Sequence, residues 1–596
     1  MTLAACGGGG GNGESSGGTP AAPAVNLAYG LKTLQFSWPA VAGAAYYQLY
    51  ENPDGISGFR QVGNNITTTS VDHAVALHKR LNARYLVAAC NSAGCTYSAA
   101  VFLTNHLADA IGYFKASNTQ ADDVFGHSLD ISADGDTLVI GAYLEDSSAT
   151  GIGGDQADDS ASAAGAVYIF TRSHNTWSQQ AYLKASNAEA GDNFGFSLAL
   201  SVEGNTLVVG APFEDSDATG LGGDEGNPDA LNSGAAYVFT RNNTTWSQQA
   251  YVKASNTRTG DNFGYSLALS GDGNTLAISA PFEDSGATGV GGNQGDVSAT
   301  DAGAVYVFIL DGGAWSQQAY VKASNTQAED LFGHALALSG DGDTLAVGAP
   351  FEDSNATGVN AVAGDANNSS LNAGAVYVFA RDGGNNWSQQ AYVKASNTDA
   401  EDLFGHSLAL AANGSRLAVG APFEDSPASG IDNAQGNNAA TQNAGAVYVF
   451  ARDGGNNWSQ QTYMKASNTE ASDQFGRSLT LSGEGATLAV GAWGVGGGGP
   501  GEDSSAIGIG GNQADNAAPA AGAVYVFTLG AGGWFQQAYV KAANTEAGDR
   551  FGRALALSTD GDTLAVGAYL EASNAAGIGG NQGDNSASNA GAVYLY

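Results

Sequence analysis

FGHALALS at residues 332–339, TLAVGAP at 344–350 and AGAVYVF at 373–379 are the three runs that decide the fold of this chain. Each run is short, apolar and rich in residues that favour β-structure, and Asp341-Gly342 between the first two is a turn signal. Runs of this kind, bounded by turn residues, predict β-strands. The stretch therefore predicts a hairpin followed, after a long polar loop, by a third strand.

The stretch is repeated along the chain. Its Phe-Gly pair recurs at Phe125, Phe194, Phe263, Phe332, Phe404, Phe475 and Phe551. A fourth strand is predicted between copies, as in WSQQAYVKAS at 315–324. Four strands in each of seven repeats predict an all-β chain with a seven-bladed β-propeller, an architecture that leaves no long free sheet edge.

The two ends of the repeat array complement each other. The last copy stops at VYLY (593–596), a third strand without a fourth. IGYFKAS (111–117) precedes the first copy as a fourth strand without the other three. We therefore expect 111–117 to complete the last blade and close the ring, in a propeller domain that spans 106–596.

The landmarks of the repeat resemble a known family. Phe-Gly is followed by Gly-Ala-Pro, as at Gly210-Ala211-Pro212, and then by Gly-Ala-Val-Tyr-Val-Phe. This order is similar to the FG-GAP repeat of integrin α-subunit propellers and their bacterial relatives, over about residues 111–596. The resemblance implies extracellular recognition, but a fold by itself names no ligand.

Residues 24–105 differ in composition, with less Gly and no copy of the repeat. Alternating segments at 33–38, 45–50, 59–62 and 83–90 predict a small β-sandwich. The region resembles a fibronectin type III module, with Trp38 as its buried Trp and YLVAACNSAG (85–94) as its strand and turn. Cys90 and Cys95 flank a four-residue turn, a spacing that permits a disulfide, with two free buried thiols as the alternative.

Residues 1–23 are interpreted as a leader and a tether. LAAC (3–6) before a Gly run resembles a bacterial lipoprotein box in which Cys6 carries the lipid, and 7–23 is a flexible Gly/Ser/Pro segment. Only five residues precede Cys6, too few for a signal peptide, so we expect the translated start to lie upstream. A chance Cys beside a flexible leader is the alternative. The expected location is the bacterial cell envelope or outer surface, after export.

The charge of the chain restricts its partners. Lys and Arg total 21 against 58 Asp and Glu, a formal net charge of -37 that would repel nucleic acids and anionic lipids. No apolar run reaches the ~20 residues that span a bilayer. We expect a monomer that binds no nucleic acid and meets a membrane only through its lipid anchor.

One position varies among otherwise similar repeats, and it is the first candidate for a binding site. The residue after Phe-Gly is His127, Phe196, Tyr265, His334, His406, Arg477 or Arg553. If the first strand of each blade lines the axis, these side chains ring one mouth of the channel and form an asymmetric site on a repetitive scaffold. Trp493, beside an insertion in the sixth repeat, is a second candidate contact. The alternative is that these side chains only plug the channel.

The acidic loops are candidate calcium sites. Glu-Asp-Ser opens six long loops, with the carboxylates of Asp146, Asp215, Asp284, Asp353, Asp425 and Asp503 as candidate ligands. Calcium needs about six to eight oxygen ligands, which Gly/Asp/Asn-rich loops can supply, although loop capping is the alternative role. The short Asp-Gly hairpin turns are interpreted as type I′ turns rather than metal sites. An Asp two residues before each Phe-Gly is expected to accept hydrogen bonds from backbone N–H groups.

These patterns favour a binding protein over an enzyme. Neither His-Glu-x-x-His nor a phosphate-cradling Gly-Lys motif occurs, and residues repeated in every blade serve architecture better than catalysis. We expect a non-enzymatic extracellular binding or adhesion platform for a protein or glycan, without a certain cofactor. A polysaccharide hydrolase or lyase and a structural envelope component are the alternatives.

Overall fold

The computed structural model describes residues 18–103, 106–360, 367–433, 435–436, 441–494 and 501–596. They form two compact units. The first unit comprises residues up to 75 and 80–110, and the second comprises 76–79 and 111–596. Within the described residues the regular structure is β-strand plus two 3-10 helices, Leu77–Lys79 and Leu107–Ala110. In these same residues, no helix has the length and apolar character that crossing a membrane requires.

The first unit contains two antiparallel sheets. One sheet has the order Asn26–Gly30, Thr33–Ser37, Ser70–Ala74. The other has the order Arg60–Ile66, Tyr46–Asn52, Arg84–Asn91, Gly94–Tyr97, with Val101–Phe102 also paired to Arg84–Asn91. Trp38 is buried and packs on Tyr47 with ring centres 5.2 Å apart. Cys90 and Cys95 are opposite each other across the hairpin and their sulfur atoms are bonded.

The second unit is built from seven four-stranded antiparallel sheets, numbered here in chain order. Sheet 1 is Ser128–Ile131, Thr137–Ala142, Ala166–Ser173, Thr176–Leu183; sheet 2 is Ser197–Leu200, Thr206–Ala211, Ala235–Asn242, Thr245–Val252; sheet 3 is Leu267–Leu269, Thr275–Ala280, Ala304–Asp311, Ala314–Val321; sheet 4 is Ala335–Leu338, Thr344–Ala349, Ala375–Arg381, Trp387–Val393. Sheet 5 is Ser407–Leu410, Arg416–Ala421, Ala446–Arg452, Trp458–Met464; sheet 6 is Ser478–Leu481, Thr487–Ala492, Ala523–Gly530, Gly533–Val540; sheet 7 is Phe551–Leu557, Leu564–Ala568, Ala592–Leu595, Gly112–Phe114. The four strands expected for each repeat are therefore present.

Sheet 7 takes its fourth strand from the other end of the repeat region. Gly112–Phe114 runs antiparallel to Ala592–Leu595, with Phe114 opposite Val593 and Tyr113 opposite Tyr594. The segment predicted to complete the last repeat does pair with it.

Neighbouring sheets meet through the Phe-Gly and Gly-Ala landmarks. The hydroxyl of Ser128 donates to the carbonyl oxygen of Gly195 in the next sheet, 2.6 Å away. A Cβ on Gly141 would lie 2.2 Å from that same oxygen, so only glycine fits. The equivalent contact joins sheet 7 to sheet 1, where a Cβ on Gly567 would lie 2.1 Å from the oxygen of Gly126.

The core lies between facing sheets. Phe332 is fully buried and contacts Tyr377 and Phe379 edge-on, with ring centres 5.4 and 6.1 Å apart. The same arrangement of rings recurs around each Phe of the Phe-Gly pairs. Burying one such side chain contributes about 1.5–3 kcal/mol. The Phe of each Phe-Gly pair is therefore a packing residue.

The hairpin turns differ from the predicted type I′. Gly342 has a φ of 72°, but Asp341 does not share the positive φ that a type I′ turn needs at both central residues. The N–H of Gly342 donates to the carbonyl of Ser339 at 2.9 Å, which closes a turn around Gly340 and Asp341. The carboxylate of Asp341 accepts from the N–H of Asp343 and holds Asp341 in place. The type I′ prediction was therefore wrong, because the Asp caps the turn instead of adopting the left-handed conformation.

The Asp before each Phe-Gly caps the corner that leads into the first strand. Asp330 Oδ2 accepts from the N–H of Gln327 at 3.1 Å. The same hydrogen bond forms at Asp123, Asp192, Asp402, Asp473 and Asp549. The predicted capping role is confirmed at these six positions.

Candidate functional site

The seven variable residues after Phe-Gly lie together. Each stands just before the core of the first strand of its sheet, and all seven line one cavity of about 440 Å³ with Trp493. The lining residues are His127, Phe196, Tyr265, His334, His406, Arg477 and Arg553. Behind them the wall carries a repeated Leu, from Leu129 in sheet 1 to Leu555 in sheet 7. The side chain after Phe-Gly thus varies between sheets, whereas the Leu behind it is the same in all seven, and Ser or Ala lies between the two.

Five of the seven side chains form a continuous run of rings. Successive ring centres are 5.2 Å apart from His127 to Phe196, 5.3 Å to Tyr265, 5.6 Å to His334 and 4.8 Å to His406. Aromatic contacts at such distances add about 0.5–1.5 kcal/mol per pair beyond simple burial. The run is therefore a fixed aromatic wall along one side of the cavity.

Cationic side chains occupy the other side. The guanidinium carbons of Arg477 and Arg553 lie 4.5 and 5.1 Å from the ring centre of Trp493. Arg553 Nη2 is 2.8 Å from His127 Nε2, so the cationic side chains meet the first ring of the aromatic run. Two cations that share one indole ring are held by cation–π attraction.

The contact with Arg553 determines the tautomer and the charge of His127. A guanidinium only donates, so Nε2 of His127 accepts and its proton resides on Nδ1. Burial and the adjacent charge of Arg553 hold the pKa of His127 well below its usual range. His127 is therefore neutral at physiological pH and presents an N–H group at Nδ1.

The two arginines have no acidic partner. In the described part of the chain neither guanidinium forms an ion pair with a carboxylate, and none of the described lining residues is Asp or Glu. Burial and the neighbouring charge of Arg553 lower the pKa of Arg477 to about 10. Both side chains still carry their positive charge near pH 7. The cavity is therefore a cationic site in a chain whose net charge is -37.

Several buried polar atoms in the cavity wall lack a hydrogen-bond partner. They are Nδ1 of His127, His334 and His406, Nε of Arg477 and Nε1 of Trp493. A buried donor without a partner costs about 1–3 kcal/mol.

Two aromatic contacts of the site were missed by the sequence analysis. Tyr143 and Tyr569 lie 4.4 and 5.7 Å from His127, ring centre to ring centre. Together with Trp493 they occupy the third position of Gly-Ala-Pro, which is Pro in the other four repeats. The signal was visible as a Pro replaced by an aromatic residue in repeats 1, 6 and 7. Only the structure showed that these three residues lie on neighbouring sheets, because sheets 6, 7 and 1 are consecutive.

The Asp residues predicted to bind calcium serve the loops themselves. Asp215 Oδ1 accepts from the N–H of Asn232 at 2.7 Å. Equivalent hydrogen bonds form at Asp146, Asp284, Asp353, Asp425 and Asp503. Among the residues that the structure describes, no three His, Cys, Asp or Glu side chains are grouped so as to hold a metal ion. The capping role that was the alternative accounts for these contacts.

The Glu before each of these six Asp residues, and Glu571 at the same position of the seventh repeat, form buried ion pairs that were not predicted from the sequence. In sheet 1, Glu145 accepts from Lys184 Nζ at 2.8 Å and from Tyr182 at 2.7 Å, and all three are buried. The other pairs are Glu214–Lys253, Glu283–Lys322, Glu352–Lys394, Glu424–Lys465, Glu502–Lys541 and Glu571–Lys115. Seven of the 21 Lys and Arg residues thus form structural ion pairs.

Cys6, the predicted site of lipid attachment, lies outside the described residues.

Comparisons with known proteins identify the repeats. Residues 177–239, 246–308, 315–379, 387–450, 458–527 and 534–596 match the sequence model of a family described as FG-GAP repeat. These six segments together cover more than half of the chain. A search of curated proteins finds no match.

Two solved structures illustrate the range of structural matches. One is a chicken CNTN1 fragment with domains FN1–FN3, at 9% identity and TM-score 0.14, covering 51% of this chain and all of that one. The other is a calcium-stabilised, ice-binding adhesin of an Antarctic bacterium, at 10% identity and TM-score 0.12, covering 88% of this chain and 99% of that one. Scores this low carry no argument about fold or function.

Proposed function

The chain belongs to the FG-GAP repeat family, and from that membership we propose that its seven sheets close into a seven-bladed propeller whose central cavity binds an extracellular protein or glycan. Closure is supported by the strand Gly112–Phe114 in sheet 7 and by the contact of Gly567 with Gly126. The protein acts as a binding or adhesion platform.

One observation carries the binding proposal. Seven equivalent positions in seven similar sheets hold four different residue types, and their side chains converge on one cavity of about 440 Å³. Ligand pockets are commonly about 300–1,000 Å³, apolar or aromatic, with a few convergent polar groups. A plug needs only to fill space, whereas this set leaves cationic and polar atoms without partners.

In this proposal, the remaining parts of the chain hold the propeller at the cell surface. The first unit is a fibronectin type III-like module with two sheets, and a lipid on Cys6 would anchor the exported protein to the cell envelope. The platform works as a monomer, and its binding requires no cofactor.

A pull-down of extracellular and envelope material with the full chain tests the proposal. We expect retention of a ligand by the native protein and its loss with Trp493→Ala, which removes the ring between the two arginines. Phe535→Ala is the matched control, because Phe535 is an exposed aromatic residue of the same sheet 6. Equal retention by both variants would place the binding surface outside the cavity.

A polysaccharide lyase is a second candidate that one contact favours. Cationic Arg553, which contacts His127 and is close to Tyr143 through that ring, is a group that could neutralise the carboxylate of a lyase substrate. Incubation of the protein with acidic polysaccharides distinguishes the two functions. Release of unsaturated fragments, detected by ultraviolet absorbance, would establish turnover, whereas retention of intact polymer would support binding alone.

A further inference from the structure

We propose that the cavity recognises a negatively charged sugar residue, a uronate unit of an acidic glycan, and that its carboxylate is held by Arg477 and Arg553. This inference rests on the proposed binding function and adds the chemical class of the ligand.

The first argument is charge balance. Each of the seven buried Lys residues in the sheets has a Glu within 2.9 Å, so this fold pairs its buried cations. Arg477 and Arg553 are partly buried and have no carboxylate partner among the described residues, although they share the Trp493 ring and repel each other. A carboxylate between them would supply the missing counter-charge, and guanidinium groups bind carboxylates through paired hydrogen bonds.

The second argument is the aromatic lining of the cavity. Phe196 and Tyr265 line it with ring centres 5.3 Å apart, and Phe196 also contacts His127 at 5.2 Å. Flat aromatic side chains offer large, rigid contact area at low entropic cost. They suit the flat apolar face of a sugar ring. An acidic peptide side chain would satisfy the arginines but has no flat ring to pack on these aromatic side chains.

Binding of digalacturonate to the full chain, measured by calorimetry, tests the proposal against two other probes. Galactobiose has the same sugar ring type without the carboxylates, and inorganic sulfate is an anion without the sugar. We expect digalacturonate to bind at least tenfold more tightly than either. Affinity should also fall as salt is added, because the attraction is between charges.

Variants locate the binding. Arg477→Gln and Arg553→Gln should each weaken digalacturonate binding at least tenfold. Arg381→Gln is the matched control, because Arg381 also stacks on a Trp, Trp387 at 5.6 Å, but is not part of the cavity lining. Its affinity should equal that of the native chain. Unchanged melting temperatures of the Gln variants would show that they fold.

Each contrary result has a distinct meaning. Native-like digalacturonate binding by folded Arg477→Gln and Arg553→Gln would overturn the assignment of the carboxylate. Equal binding of galactobiose, or sulfate binding as tight as that of digalacturonate, would overturn the uronate class. If no probe binds while the pull-down still loses its ligand with Trp493→Ala, the sugar proposal fails and the proposed function stands. If neither assay depends on the cavity, both fail.

Discussion

Lys184 Nζ donates a hydrogen bond to Glu145 Oε2 across 2.8 Å, and the exposures of the two side chains are 0% and 2%. The pair joins the fourth strand of sheet 1 to the loop that follows its second strand, and it recurs in every sheet. Removing one partner leaves an uncompensated buried charge. The fourth strand of each sheet must therefore bring a Lys next to the Glu of the loop.

Breaking one of these pairs should be strongly destabilising. We expect Glu214→Gln to lower the free energy of unfolding by about 3–5 kcal/mol, because Lys253 would remain buried without a counter-charge. Chemical denaturation measures the change. Asp343→Asn is the control: its ion pair with Arg381 is half exposed and should contribute less than about 1 kcal/mol. A loss below 1 kcal/mol in Glu214→Gln would contradict the role assigned to the pair.

The same experiment tests the closing strand. Lys115 lies just after Gly112–Phe114 and reaches Glu571 Oε2 at 2.9 Å. We expect Lys115→Met to destabilise the protein as much as Lys253→Met does inside a contiguous repeat, and to leave one cooperative transition. A small loss for Lys115→Met with a large one for Lys253→Met would show that the ring is not closed by this strand.

Stability should decrease as pH rises towards 8. Burial raises the pKa of Asp330 to about 8, with Glu352 and Asp353 adding to the effect and Lys394 opposing it. The equivalent Asp in every other sheet is shifted in the same direction, to about 8. Because the folded value is above the unfolded value of 3.8, the stabilisation is complete below pH 3.8 and is lost as the pH rises through about 8.

Asp330→Asn isolates this effect. The amide oxygen can still accept from the N–H of Gln327, but the side chain no longer ionises. We expect the difference in melting temperature between this variant and the native chain to grow in favour of Asn from pH 5 to pH 9. A constant difference across that range would mean that Asp330 is already ionised in the folded protein.

The first unit contains its own buried carboxylate. Burial alone would raise the pKa of Glu51, but hydrogen bonds from His73, Arg80 and Tyr85 and the charge of Arg80 lower it to about 2. Arg80 contacts Glu51 at 2.8 Å and is 22% exposed, whereas Arg60 contacts it at 3.5 Å and is 67% exposed.

Replacing these arginines should have unequal effects. We expect Arg80→Gln to reduce hydrogen-exchange protection of Arg84–Asn91 by about 2 kcal/mol and Arg60→Gln to change it by less than about 1 kcal/mol. Protection in sheets 1 to 7 should stay the same. Equal losses in the two variants would contradict the ranking by burial.

Calcium should have little effect on the long loops. In the loop from Phe213 to Gly234, Asp215 is already paired with the N–H of Asn232. We therefore expect a chelator to leave the melting temperature unchanged, and Asp215→Ala to lower stability by about 1 kcal/mol through loss of that hydrogen bond. A melting temperature that rises with added calcium in the native chain but not in Asp215→Ala would show a bound ion.

Much of the fold was predictable because it depends on patterns of residues that are close together in the sequence. Strands such as Thr344–Ala349 follow from short β-prone runs, and the corner role of Asp330 follows from a side chain that reaches backbone N–H groups only three residues away. The hairpin was located correctly, but its turn is centred on Gly340 and Asp341 and not on Asp341 and Gly342, because the Asp341 carboxylate caps the turn. The position of the variable ring was also predicted, since equivalent positions in equivalent repeats share one environment.

The contacts that give the site its character were not predictable. Tyr143 and Tyr569 come from the first and last repeats, and although both visibly replace a Pro, the sequence does not show that both rings contact His127. Likewise, Glu145 and Lys184 are 39 residues apart, and each alone resembles an ordinary surface charge.

The sequence by itself determined the repeats, their strands and the seven positions that differ between them, because hydrophobic period and turn chemistry act over a few residues. Only the tertiary structure decided that two arginines would share Trp493 without a carboxylate, while seven lysines would each find one. Burial and pairing of charge depend on which distant segments pack together, and that packing exists only in the folded chain.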